Sequence, residues 1–159
     1  MATAAKSNPR VALNQLHYTV DIAAPREKVW RILWDDASFR DWSSVFAEGS
    51  YAVSDWKEGS TVQFIDPGSN AGMSAVIEQK RPNEYISFRH EAEIKDGEIQ
   101  PTPAWSGAHE NYTLATRDGR TTLTVDLDAP DEYRQMFEDK FPQALKRVKS
   151  LSEVASRRG

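Results

Sequence analysis

The 159-residue chain contains no cysteine. Disulfides, thiolate catalysis and cysteine-ligated zinc are thereby excluded. No apolar run approaches the ~18 residues that a membrane-spanning helix needs. The opening stretch, MATAAKSNPRVALNQ, holds no apolar core of the kind a secretory leader carries, so a cytoplasmic location is expected. Positive charge is in deficit: 20 Lys and Arg stand against 24 Asp and Glu, for a net charge of -4. That balance opposes binding to nucleic acid or to an anionic membrane. No phosphate-cradling glycine loop, nucleophile elbow or zinc-binding helix motif occurs. The three histidines are His17, His90 and His109. Strand alternation turns the first and last outward, so too few ligands converge for a metal site. Neither a metal nor a cofactor is expected.

What is present is ordinary in bulk, with 39% hydrophobic and 28% charged residues. The length suits one domain. Residues 1–14 are small, polar and aperiodic, and read as a flexible arm before a single domain at 15–156. LHYTVDI (16–22) alternates, with Leu16, Tyr18, Val20 and Ile22 on one side, as a half-buried strand does. In APREKVWRILW, Pro25 suits the first position of a helix, and Val29, Ile32 and Leu33 share a helical face. DDASFRDW reads as a break and a second short helix, capped by Asp36. From Glu48 to Asp128 the period changes to two. Strands are expected at 50–56, 60–65, 71–80, 84–94, 107–116 and 121–128, separated by KEG, DPGSN, RPN and RDGR turns. After Pro130 an apolar stripe of Met136, Phe137, Phe141, Ala144, Leu145, Val148 and Leu151 marks a long helix. Pro142 should kink it or begin its main part.

The expected class is therefore α+β: a curved antiparallel sheet wrapped around a long C-terminal helix, with two short helices after the first strand. The helix stripe must bury itself against the concave face of the sheet. Space left between them is where a ligand would fit.

Residues 29–42, VWRILWDDASFRDW, carry three of the five tryptophans. Trp30 follows the helix stripe and reads as packing. Trp34 is expected to pack on the arm or to face solvent as an anchor for a partner protein. Parity on the strands turns Ile86, Phe88 and His90 inward, together with Glu110, Tyr112 and Leu114. If those two strands are antiparallel neighbours, the favoured register sets Ile86 opposite Leu114, Phe88 opposite Tyr112 and His90 opposite Glu110. It also sets Glu91 opposite His109 on the outer face. Registers displaced by two residues keep the parity but are expected to lose both histidine–carboxylate pairs. Asp96-Gly97 is the competing signal, since it could turn a tighter hairpin and shift the register.

The succession IAAPREKVWRILWD, FRDW, DWKEGSTVQF, AVIEQKRPNEYISFRHE, ENYTL and TTLTV resembles the START-like, or SRPBCC, superfamily, the helix-grip fold shared with birch-pollen allergens. The similar branch is the one named for homologues of the activator of the heat-shock chaperone ATPase. Trp30 matches that family's core tryptophan, whereas Trp34 departs from a position more often held by threonine. The resemblance implies a cavity and a second helix, bearing Phe39 and Trp42, that closes its mouth. The candidate ligand-binding residues are Phe39, Trp42, Phe64, Met73, Phe88, His90, Glu110, Tyr112, Phe137 and Phe141. The expected function is non-enzymatic binding of a hydrophobic or amphipathic small molecule. Two alternatives stand beside it. One is a partner-binding or chaperone-linked regulatory module. The other is a cyclase- or hydrolase-like enzyme using the same cavity, with His90 and Glu110 as acid and base.

Overall fold

The computed structural model describes residues 12–100 and 105–155. Residues 1–11 of the expected arm lie outside the described residues. In chain order the elements are β1 (Leu13–Ile22), α1 (Arg26–Trp34), α2 (Asp36–Ser43), β2 (Tyr51–Val53), β3 (Thr61–Asp66), β4 (Ala71–Arg81), β5 (Tyr85–Lys95), β6 (Glu98–Ile99), β7 (His109–Arg117), β8 (Arg120–Pro130) and α3 (Asp131–Ala155). The sheet runs β1-β8-β7-β5-β4-β3-β2, every pairing antiparallel, with β6 added beside β5. This is the expected α+β helix-grip architecture. No described helix is long and apolar enough to cross a membrane.

Period-two burial drives the sheet. Leu16 and Ile22 of β1 are buried, while His17, Thr19 and Asp21 between them are exposed. On β8, Thr121, Leu123, Val125, Leu127 and Ala129 alternate into the core in the same way. The two middle strands each carry one unpaired extra residue, Glu78 in β4 and Glu91 in β5. Such bulges bend a strand and increase its twist. They let the sheet curl around α3, whose Phe141, Ala144, Leu145 and Val148 are buried.

Several local details differ from the sequence expectations. β1 begins at Leu13, because pairing with β8 continues to Leu13↔Pro130 beyond the alternating stretch. β2 has only three residues. β6 was not expected; it arises from a tight turn at Asp96-Gly97, both with positive φ. Pro25 is the cap of α1 rather than its first residue, and its carbonyl accepts the Lys28 and Val29 N–H groups. The cap of α2 is the extended Asp35, while Asp36 lies in the first turn and pairs with Arg40. α3 runs through Pro142, which is exposed. The carbonyl that this proline leaves without a donor can therefore turn to water.

The β5–β7 register also differs. The pairs are Ile86↔Tyr112, Phe88↔Glu110 and Arg89↔His109, two residues from the favoured set, with the parity retained. The turn at 105–108 sets it. There the His90 N–H donates to the Ala108 carbonyl and the Gly107 N–H to the His90 carbonyl. Gly107 has φ +95, a conformation that glycine adopts without steric cost.

Candidate functional site

A cavity of about 500 Å³ lies between the concave face of the sheet, α2 and the first half of α3. All ten residues singled out from the sequence lie on its wall. α2 contributes Phe39 and Trp42, buried side by side with ring centroids 5.2 Å apart. The Trp42 indole N–H is tied to the Leu33 carbonyl at 3.1 Å, which locks α2 against the end of α1. Arg147 holds Asp41 through bonds of 2.6 and 2.9 Å, so α3 clamps α2 from outside. That bidentate contact, chiefly its hydrogen bond, keeps the Asp41 carboxyl below its ordinary value.

Trp34 does not face solvent, and residues 1–11 of the arm it was expected to meet lie outside the described residues. It is 9% exposed, lines the cavity and meets the rings of Trp30, Phe39, Trp42, Trp56, Phe88 and Tyr112. At the last position of α1 its side chain swings past the helix stripe into the space under the sheet. Its indole N–H is buried with no hydrogen-bond partner among the described residues. Trp30 is half-buried beside the core and does not line the cavity. Sequence reasoning missed Trp34, Phe46, Tyr51, Trp105 and Tyr133 on the wall. For Trp34 the four-residue spacing from Trp30 is no signal, because Trp30 does not line the cavity. For Trp105, buried in a turn, the sequence carries none.

The polar centre is His90, Glu110 and Tyr112. The His90 ring Nε2 lies 2.9 Å from Glu110 Oε1, and the Tyr112 hydroxyl donates to Glu110 Oε2 at 2.5 Å. This pair survives the register that was expected to destroy it. His90 stands between Ala75 on β4 and Ala108 beside β7. Methyl groups on both sides leave its ring free to reach diagonally to Glu110, a distance that long side chains span. The expected outer pair is absent: Glu91 binds Arg89, while His109 binds Glu78. Burial is the largest influence on the Glu110 carboxyl and pushes it up. The His90 hydrogen bond and charge, with the Tyr112 hydroxyl, outweigh burial and hold it below its ordinary value. Burial first, and then the adjacent Glu110, push the Tyr112 hydroxyl well up, so it remains a donor. The arrangement can anchor one polar group inside an aromatic enclosure. Among the described residues, no group of three or more His, Asp or Glu is placed to hold a metal ion.

Residues 23–153 match the family described as Activator of Hsp90 ATPase homolog 1-like protein. The chain belongs to that family. No curated protein sequence matches it. Among solved structures, a solution structure of an Aha1 dimer from Colwellia psychrerythraea is 18% identical, covers 89% of this chain and 97% of its own, and gives a TM-score of 0.68. A protein from Chromobacterium violaceum, CV1439, is 19% identical over 88% of this chain and 98% of its own, with a TM-score of 0.64. The ZhuI aromatase/cyclase from Streptomyces sp. R1128 is 18% identical over 88% of this chain and 93% of its own, with a TM-score of 0.61. At these identities the likeness is one of fold. A member of the Activator of Hsp90 ATPase homolog 1-like family thus shares its fold with an aromatase/cyclase.

Proposed function

We propose that the protein binds an apolar or amphipathic small molecule in this cavity and performs no chemistry on it. The observation that carries this reading is the wall: about 500 Å³ lined by a large set of aromatic side chains, with His90, Glu110 and Tyr112 joined in a polar centre. Volume and lining fall within the usual range of small-molecule sites. Affinity would come from apolar burial, at roughly 25 cal/mol per Å² before ordering costs. The ten wall residues named from the sequence are the proposed contacts. The cytoplasm is the proposed setting.

The enzyme reading draws support from the His90–Glu110 contact, which resembles an oriented base. One feature weighs against it: His90 Nε2 is engaged by Glu110 and His90 Nδ1 is buried, so the imidazole presents no accessible nitrogen to a substrate. The partner-binding reading rests on an exposed apolar patch around Trp34 or the long helix; Trp34 is buried, and on the helix Met136 and Val154 are exposed.

The test is thermal melting against a library of aromatic and acyl compounds. A ligand at a hundred times its dissociation constant should add about 2.7 kcal/mol of stability. Met73→Trp, which places bulk on the wall, should abolish the shift. No hit in a broad library would overturn the proposal.

A further inference from the structure

The reading of the cavity as a binding site leaves the class of amphiphile open, and the inference here rests on that reading. We infer that the cavity selects hydrophobic ammonium ions over hydrophobic carboxylates, because its wall carries Glu110 and, among the described residues, no Lys or Arg. Every titratable group on that wall supports this. Among the described residues, Glu110, His109 and Tyr112 come from β7, His90 from β5, Asp66 from β3, Asp128 from β8, Tyr51 from β2 and Tyr133 from α3. The carboxylates outnumber the candidate cations, and both histidines are already committed. His90 Nε2 faces Glu110, and His109 Nε2 faces Glu78 at 2.6 Å on the outer side. His90 Nδ1 is buried, so the imidazole offers no accessible N–H to a bound carboxylate. A bound carboxylate would therefore meet no free positive group.

A bound ammonium meets the opposite. Glu110 accepts one bond at each oxygen, and a carboxylate has about four acceptor positions. Its side chain is 20% exposed against 10% for His90, so oxygen surface remains for a donor. Glu110 is also held in its ionised form by the contacts described above. Phe88 is its cross-strand partner, the Tyr112 hydroxyl binds it, and the Trp34 ring meets both the Phe88 and the Tyr112 rings. Aromatic faces attract a cation and repel an anion, most strongly where water is excluded. The ligand class is thus an arylalkylamine or a similar apolar body bearing one protonated nitrogen.

Three probes of one shape separate charge from apolar fit: naphthylmethylamine, naphthylmethanol and naphthoate, titrated calorimetrically into the full chain at neutral pH. The amine should bind at least about tenfold tighter than naphthoate, a difference of about 1.4 kcal/mol, with the alcohol between them. Glu110→Gln should close that gap. Naphthoate binding as tightly as the amine, while all three bind, would overturn the charge inference and leave the cavity reading intact. A gap undiminished in a folded Glu110→Gln variant would overturn the role given to Glu110. If that variant does not fold, the wild-type ranking alone decides. Failure of all three probes to bind would remove the binding reading, and this inference with it.

Discussion

The two faces of the sheet carry the same chemistry in different surroundings. On the outer face, His17 pairs with Asp126 at 2.6 Å and His109 with Glu78 at 2.6 Å. On the concave face, His90 pairs with Glu110 at 2.9 Å. By distance the outer pairs are tighter. By surroundings they are weaker: the His17 and Asp126 side chains are 65% and 51% exposed, those of His90 and Glu110 only 10% and 20%. Water and salt screen an exposed pair, so it contributes little to stability. Within the cavity the polar groups have few other partners, and removing one strands the other. Burial, rather than contact length, therefore decides which of these pairs matters.

Three sets of variants can break or sharpen this contrast. The largest effect is expected where the contrast extends to α3. Leu145, 2% exposed, should cost about 2–5 kcal/mol as Leu145→Ala, while the exposed Lys146→Ala should stay within about 0.5 kcal/mol. Equal urea midpoints would show that the helix does not grip the sheet. Next, His90→Ala should cost about 1–3 kcal/mol, because Glu110 loses its partner inside the cavity. His17→Ala should cost no more than about 1 kcal/mol. Matching losses in chemical denaturation would mean that burial does not separate the two faces.

The smallest effect is the pH dependence. Glu110 is held below its ordinary value in the folded protein. Its contribution is therefore complete above the unfolded value of about 4.3 and is lost as the pH falls through the lower folded value. Denaturation followed from neutral pH down to about pH 3 should show a shallower acid loss in Glu110→Gln than in the wild type. Glu78, also held low, chiefly by its hydrogen bond to His109, is more exposed. Glu78→Gln should change the acid limb less. An equal change in the two would place the acid sensitivity on the outer face as well.

The sequence was most legible where one periodicity met one environment. Leu16, Leu123, Val125 and Leu145 are buried as their spacing implied, because a strand or a helix against one core exposes its period directly. The wall was readable for the same reason, since Phe88, His90, Glu110 and Tyr112 share an inward parity that a two-residue shift of register leaves intact. Trp34 was misread because it ends its helix, where the stripe no longer predicts direction. Trp105 was unreadable because it sits in a turn with no period at all.

The alternation of apolar and polar residues, the turn residues and the stripe of α3 determined by themselves the class of fold and the inward set of side chains. Each of these is a local property, carried by spacing along the chain. Only the tertiary structure decided that Glu110 stands opposite Phe88 and still meets His90. That contact depends on bonds from the 105–108 turn to His90 and on the small Ala75 and Ala108 beside its ring. Residues far apart in the chain set those terms together, and no local pattern encodes the space they leave between them.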